Sequence, residues 1–246
     1  SSARGRVDPR RRPCPAEGMR RPEELYERFV LALEGEDLEG AERLLERLRG
    51  RAPDSWARSW AEIGWTEVTG ADPRARLERH LELWPEDADA HHRLGARLLE
   101  AGEDAPARAH WQRVWALDEA ADAAPEAEDA RFVEAAAIAA LDELPEPFAS
   151  ELARVAVLVE PRPSLELVTK GFDPRAYGLF EGPDRALATS LDAPPAVTRI
   201  VLFLANLVAD FPEDQELWAQ VQVTVLHEVG HYFGLDEDDM ARLGLD

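Results

Sequence analysis

From Pro22 to about Asp122, apolar residues recur three and four positions apart, as in Leu25, Phe29 and Leu33 and again in Leu44, Leu45 and Leu48. That spacing matches the turn of an α-helix and gives each segment one apolar face. Glycine or proline separates the segments, so the pattern predicts a series of short amphipathic helices, folded back on one another as hairpins.

The clearest unit reads DADAHHRLGARLLEAGEDAPARAHWQRVWALDE, with Leu94, Gly95, Leu98, Gly102, Ala107, Trp111 and Val114 in order. Small residues such as Gly95 and Ala107 suit a close helix crossing, and Trp111 and Leu98 fill the space beside it. The unit resembles a tetratricopeptide repeat. One repeat length earlier, about 34 residues, DSWARSWAEIGWTEVTGADPRARLERHLELWP sets Trp60 and Ala61 where Leu94 and Gly95 stand. A weaker first copy spans Pro22 to Pro53. Tryptophans 56, 60, 65, 84, 111 and 115 all lie in this half, where packing between helices is the expected use. His80, His91, His92 and His110 also fall here. Neighbours on a helix point about 100° apart, so His91 and His92 do not converge on one ion, and these histidines are assigned to the helix surface.

The formal net charge of −22 opposes binding to phosphate backbones, which requires clustered cations; nucleic acid is not an expected partner. Cys14 is the only cysteine, so no internal disulfide and no thiolate metal cluster can form, as suits a reducing cytoplasm. No apolar run approaches the roughly 20 residues of a membrane-spanning helix, and no membrane partner is expected. Residues 1–21, rich in Arg and Pro, read as a disordered leader. With 246 residues and 45% hydrophobic content, two domains are expected. The repeats occupy 22–122 and a second domain 131–246, with the acidic, Ala-rich stretch from Asp118 to Ala130 at the boundary.

The second half changes pattern. RFVEAAAIAALDEL, from Arg131 to Leu144, has a helical stripe through Phe132, Ala136, Ala139 and Ala140, and is stopped by Pro145 and Pro147. Ala153–Glu160 and Arg199–Leu204 are aliphatic, β-branched runs that read as strands; a Pro- and Gly-rich connection between them includes a strand near Tyr177–Phe180. The fold class is therefore α+β: helical hairpins, then a small mixed sheet with helices. A last helix runs from about Asp214 to Phe233, with Leu217, Val221, Val225 and Val229 on one face and Gly234 after it.

That last helix carries the chemistry. In HEVGH, His227 and His231 are four residues apart, so both imidazoles leave the same helix face and can bind one zinc ion through neutral nitrogen. A catalytic zinc takes three protein ligands and keeps one position for water, whose pKa falls to about 7. Glu228, beside the ligands, is then the general base: it takes the proton of the attacking water and passes it to the leaving amine. Three residues beyond His231, Gly234 lets the chain turn back with a further ligand. An extended pattern of this type places its last ligand six residues after the second histidine, where this chain has Glu237. Glu237 ranks first as third ligand, followed by Asp238 and Asp236; Asp238 or Asp239 can alternatively cap the short helix DMARLG.

DELPEPFASELARVAVLVEP, YGLFEGP, RIVLFLANL and above all QVTVLHEVGHYFGLDEDDM make residues 131–246 similar to a small zincin-like metallopeptidase family of bacterial proteins. The resemblance implies a compact α+β zincin with one zinc ion held by His227, His231 and an acidic residue, and Glu228 as its catalytic residue. The family has Asp where Glu237 stands. Tyr177 and the turn Glu181–Pro183 read as parts of a tight turn beside the cleft, and Tyr232 as rotated away from the histidine face. The expected function is zinc-dependent peptide hydrolysis, with the repeats binding a peptide or protein substrate or another protein partner. The alternative is a repeat-based adaptor whose zinc domain is structural.

Overall fold

The computed structural model describes residues 20–121, 125–146, 148–152, 155–182, 199–236, 239 and 242. Residues 1–19 of the predicted leader lie outside them, and its last two, Arg20 and Arg21, begin the first helix. Two compact units divide chiefly between Ala120 and Ala121.

The first unit is helical throughout its described elements: α1 (Arg20–Glu34), α2 (Leu38–Arg51), α3 (Trp56–Val68), α4 (Arg74–Leu83), α5 (Ala88–Glu100) and α6 (Asp104–Ala121). Side-chain caps fix where the helices begin. Asp37 accepts from the Gly40 N–H at the start of α2, Ser55 from Arg58 at α3, and Asp87 from Ala90 at α5. Gly70 and Gly102, at φ +75° and +74°, end α3 and α5 in the left-handed region that a glycine enters without penalty. Leu25, Phe29, Leu44, Leu45 and Leu48 form one core with Ala57 and Ala61; Trp60, Ile63, Leu77, Leu94, Leu98 and Ala107 form the next. The close crossing expected at Gly95 is present, since a Cβ there would lie 2.4 Å from Cδ1 of Trp111. These elements make three successive hairpins.

His80 is not on the helix surface but completely buried, at 0% exposure. Its Nε2 donates to Oδ2 of Asp87 at 3.0 Å, and its Nδ1 lies 2.8 Å from the Ser59 hydroxyl. The indoles of Trp56 and Trp60 donate to the same Asp87 oxygen at 2.7 and 3.0 Å. Burial by itself would push the Asp87 carboxyl up. Hydrogen bonds from His80, Trp56 and Trp60 outweigh it and hold the group below the ordinary carboxylate range. Sequence periodicity cannot show this, because a histidine in a core is tolerated only when distant residues satisfy both of its nitrogens.

The second unit begins in the acidic stretch assigned to the boundary. α6 continues to Ala121, and α7 (Ala127–Asp142) starts inside the stretch, with a reciprocal capping box between Glu126 and Asp129. The buried stripe of α7 runs through Val133, Ala136, Ala137 and Ala140, slightly rotated from the predicted one. Then follow α8 (Phe148–Leu152), β1 (Ala156–Glu160), α9 (Leu165–Thr169), β2 (Gly178–Glu181), β3 (Arg199–Phe203), α10 (Leu204–Asp210) and α11 (Asp214–Tyr232). The sheet order is β1-β3-β2: β1 runs parallel to β3, pairing Leu158 with Val201, and β2 runs antiparallel, pairing Phe180 with Ile200.

The core joins Val133, Ala136 and Ala140 of α7, Ile200 and Leu202 of β3, Leu207 of α10, and Leu217, Val221, Val225 and Val229 of α11. The predicted stripe of the last helix is thus its buried face. The run RIVLFLANL is not one strand, however; it leaves the sheet at Phe203 and becomes helical at Leu204. Buried Asn206 explains the switch, because its amide donates to the carbonyls of Pro174 and Ala176 at 3.0 and 2.7 Å. No helix among the described residues is long and apolar enough to cross a membrane.

Candidate metal centre and active site

α11 is anchored by its Leu217–Val221–Val225–Val229 stripe, which fixes the rotation of the helix and leaves His227 and His231 half-buried together on another face. Their Nε2 atoms lie 3.0 Å apart, with ring centroids 4.7 Å apart and planes at 80°. Two imidazole nitrogens on a tetrahedral zinc sit about 3.3 Å from each other, so the pair fits one such ion with only a small adjustment. Both rings lie in the last two turns of the helix, where the backbone carbonyl dipoles favour a cation.

Glu228 lies between them in sequence and is 7% exposed. Its Oε2 accepts the backbone N–H of Phe180 at 2.7 Å. The strand geometry explains why that amide is available. Phe203 donates to the Tyr177 carbonyl, so residues 177 and 203 are a hydrogen-bonded pair. Antiparallel pairs alternate, which turns the N–H groups of Gly178 and Phe180 away from β3, towards the outer edge of the sheet. The helix can approach that edge because residue 178 is glycine: a Cβ there would meet Cγ2 of Thr224 at 2.8 Å and Oε1 of Glu228 at 3.1 Å. Gly178 and the Phe180 amide were not among the predicted site residues. The signal was present, since an isolated glycine in a strand marks close approach by another element.

After Tyr232 the helix ends in a tight turn. Leu235 donates to the Gly230 carbonyl and Gly234 to that of His231, with Gly234 at φ +79°. The chain therefore turns back beside the second histidine, as its glycine foretold. Asp236 then uses Oδ1 to accept the Asp239 N–H at 2.9 Å, while Asp239 reaches back to the Asp236 N–H and pairs with Arg242. That reciprocal cap engages Asp236, the third choice as a ligand. Glu237 and Asp238 lie outside the described residues. Among the described residues no group of three His, Cys, Asp or Glu side chains is placed to hold a metal.

Two neighbouring tyrosines are accounted for by packing. Tyr177 donates its hydroxyl to Asp210 at 2.9 Å and packs on Phe211. Tyr232 packs against Phe180 and Phe233, off the histidine face. Glu181 pairs with Arg199 across the strands, and Pro183 is outside the described residues.

Residues 152–245 match the model of the zincin-like metallopeptidase family. The match covers α11 and the whole described sheet and does not extend into the helical unit. No curated protein compared with the chain matches it.

Proposed function

Taking residues 152–245 as a zincin-like segment, we propose that this chain is a zinc-dependent peptidase, working in the cytoplasm, whose helical unit binds a peptide or protein substrate or a protein partner. His227 and His231 are two of the zinc ligands. Glu237 is the first choice for the third, ahead of Asp238 and Asp236. The observation that carries the proposal is the convergence of the two Nε2 atoms at 3.0 Å on the helix that also bears buried Glu228.

When bound, zinc would supply a Lewis acid that polarises the peptide carbonyl and acidifies water. The rest falls to the protein. Glu228 takes a proton from water as the water oxygen bonds to the carbonyl carbon. It returns that proton to the amide nitrogen as the C–N bond breaks, which leaves a carboxylic acid and an amine. The Phe180 N–H holds Oε2 in place during both transfers, so the carboxylate keeps its aim without a costly reorganisation. The strongly acidic chain disfavours nucleic acid as substrate.

The same hydrogen bond also suits a second reading, in which Glu228 ties the helix to the sheet edge and the chain is an adaptor working through its helices. Glu228→Gln separates the two, because glutamine still accepts from Phe180 but cannot take a proton. The peptidase reading expects zinc retained and peptide hydrolysis lost. Hydrolysis unchanged in the variant would remove Glu228 from the chemistry.

A further inference from the structure

A second pair of imidazoles meets within the helical unit. His91 lies in the first turns of α5 and His110 in α6, on the two arms of one hairpin, and their Nδ1 atoms are 2.7 Å apart. The ring centroids are 5.0 Å apart with the planes inclined at 39°. Nε2 of His91 sits 3.1 Å from the carbonyl oxygen of Pro85. A carbonyl only accepts, so Nε2 carries the proton, and the neutral ring presents a lone pair from Nδ1 towards His110. Imidazoles that bind metals are oriented in this way, with the far ring N–H donated to a carbonyl or carboxylate.

His110 can answer that lone pair either by donating its own Nδ1 proton or by turning a second lone pair towards a shared cation. Burial lowers the pKa of both rings, and for His110 the neighbouring His91 adds to the effect. Near neutral pH both are then uncharged, the form in which imidazole is a ligand. The nearby charges are mixed. Glu78 acts on His110, and Asp87 and Arg113 act on His91 in opposite directions; Arg113 is itself paired with Glu86 at 3.6 Å.

We propose that His91 and His110 form a second metal site, which takes a borderline divalent ion of the zinc type through the two Nδ1 atoms, with water in the remaining positions. Its ligands are distinct from those of the candidate active site. A bound ion would cross-link α5 to α6 and stabilise the hairpin in proportion to the logarithm of ion concentration.

The test uses the full chain with the C-terminal site disabled as His227→Ala/His231→Ala. Zinc titrated by calorimetry into this variant should still bind at one ion per chain, and adding His91→Gln and His110→Gln should abolish that binding while the metal-free helical content stays the same. In the wild-type chain, the ring nitrogen resonances of His91 and His110 should shift together as zinc is added, which tests the site even if the combined variant folds poorly. Zinc uptake by the double variant that is indifferent to His91 and His110, or resonances that do not respond, would overturn the proposal and leave a simple histidine–histidine hydrogen bond.

Discussion

Two pairs of histidines meet nitrogen to nitrogen in this protein, and they are brought together differently. His227 and His231 share α11, and their spacing of four residues aligns them on one face. His91 and His110 belong to different helices and meet only because α5 folds back on α6. The first pair needs little more than an intact helix. The second depends on a turn, on the Gly95–Trp111 crossing and on the cap that starts α5. The number of histidines in a segment therefore says little about metal binding; what matters is which elements must hold still for the nitrogens to converge.

The largest expected effect is at the first pair. Glu228→Gln should lower the rate of peptide hydrolysis by about a thousandfold while zinc per chain, read by elemental mass spectrometry, stays unchanged. Hydrolysis and zinc falling together would mean that the substitution had disrupted the helix and that the first pair needs more than helical spacing to hold its geometry.

Next in size is the cap of α5. Asp87→Ala removes one acceptor from His80, Trp56 and Trp60 at once and should destabilise the helical unit by about 3 kcal/mol, as when one partner of a buried pair is lost. Denaturant unfolding would measure this, and the His91–His110 pair should loosen while zinc binding at α11 persists. The same carboxyl predicts an acid limb. Its folded pKa is depressed, so its contribution is present above the unfolded Asp value of about 3.9 and is lost as pH falls below it. Stability of the helical unit should therefore decline below about pH 4, and Asp87→Asn should flatten that decline.

Gly95→Ala places a methyl group 2.4 Å from the Trp111 indole and should cost about 2 kcal/mol through overpacking. It should separate His91 from His110, detectable in the ring nitrogen resonances, and leave the His227–His231 pair unaffected. Smallest is Gly178→Ala. The added methyl crowds Thr224 and Glu228, which can give slightly, at a cost of about 1 kcal/mol. Hydrolysis should fall with zinc content constant, since the displaced group is the proposed base and not a proposed ligand. A loss of zinc instead would show that the sheet edge also positions the ligands.

Much of the fold was legible because it is local. The apolar stripes of α5 and α11 and the aliphatic run of β3 are periodic patterns within a single element. The strand expected over Arg199–Leu204 ends at Phe203 and the rest of the apolar run RIVLFLANL is helical; periodicity does not mark that change, and the carbonyls of Pro174 and Ala176 that meet Asn206 there lie about thirty positions away. His80 was misplaced for the same reason, since its partners Ser59 and Asp87 sit on other elements.

By itself the sequence determined the two apolar patterns, the alignment of His227 with His231 and the turn at Gly234, because each depends on helical pitch or on one residue's backbone freedom. The tertiary structure decided that Glu228 is held by the Phe180 amide, that His80 is a core residue and that His91 meets His110. Those contacts join residues far apart in the chain, and their energies arise from burial and mutual hydrogen bonding that no single segment contains.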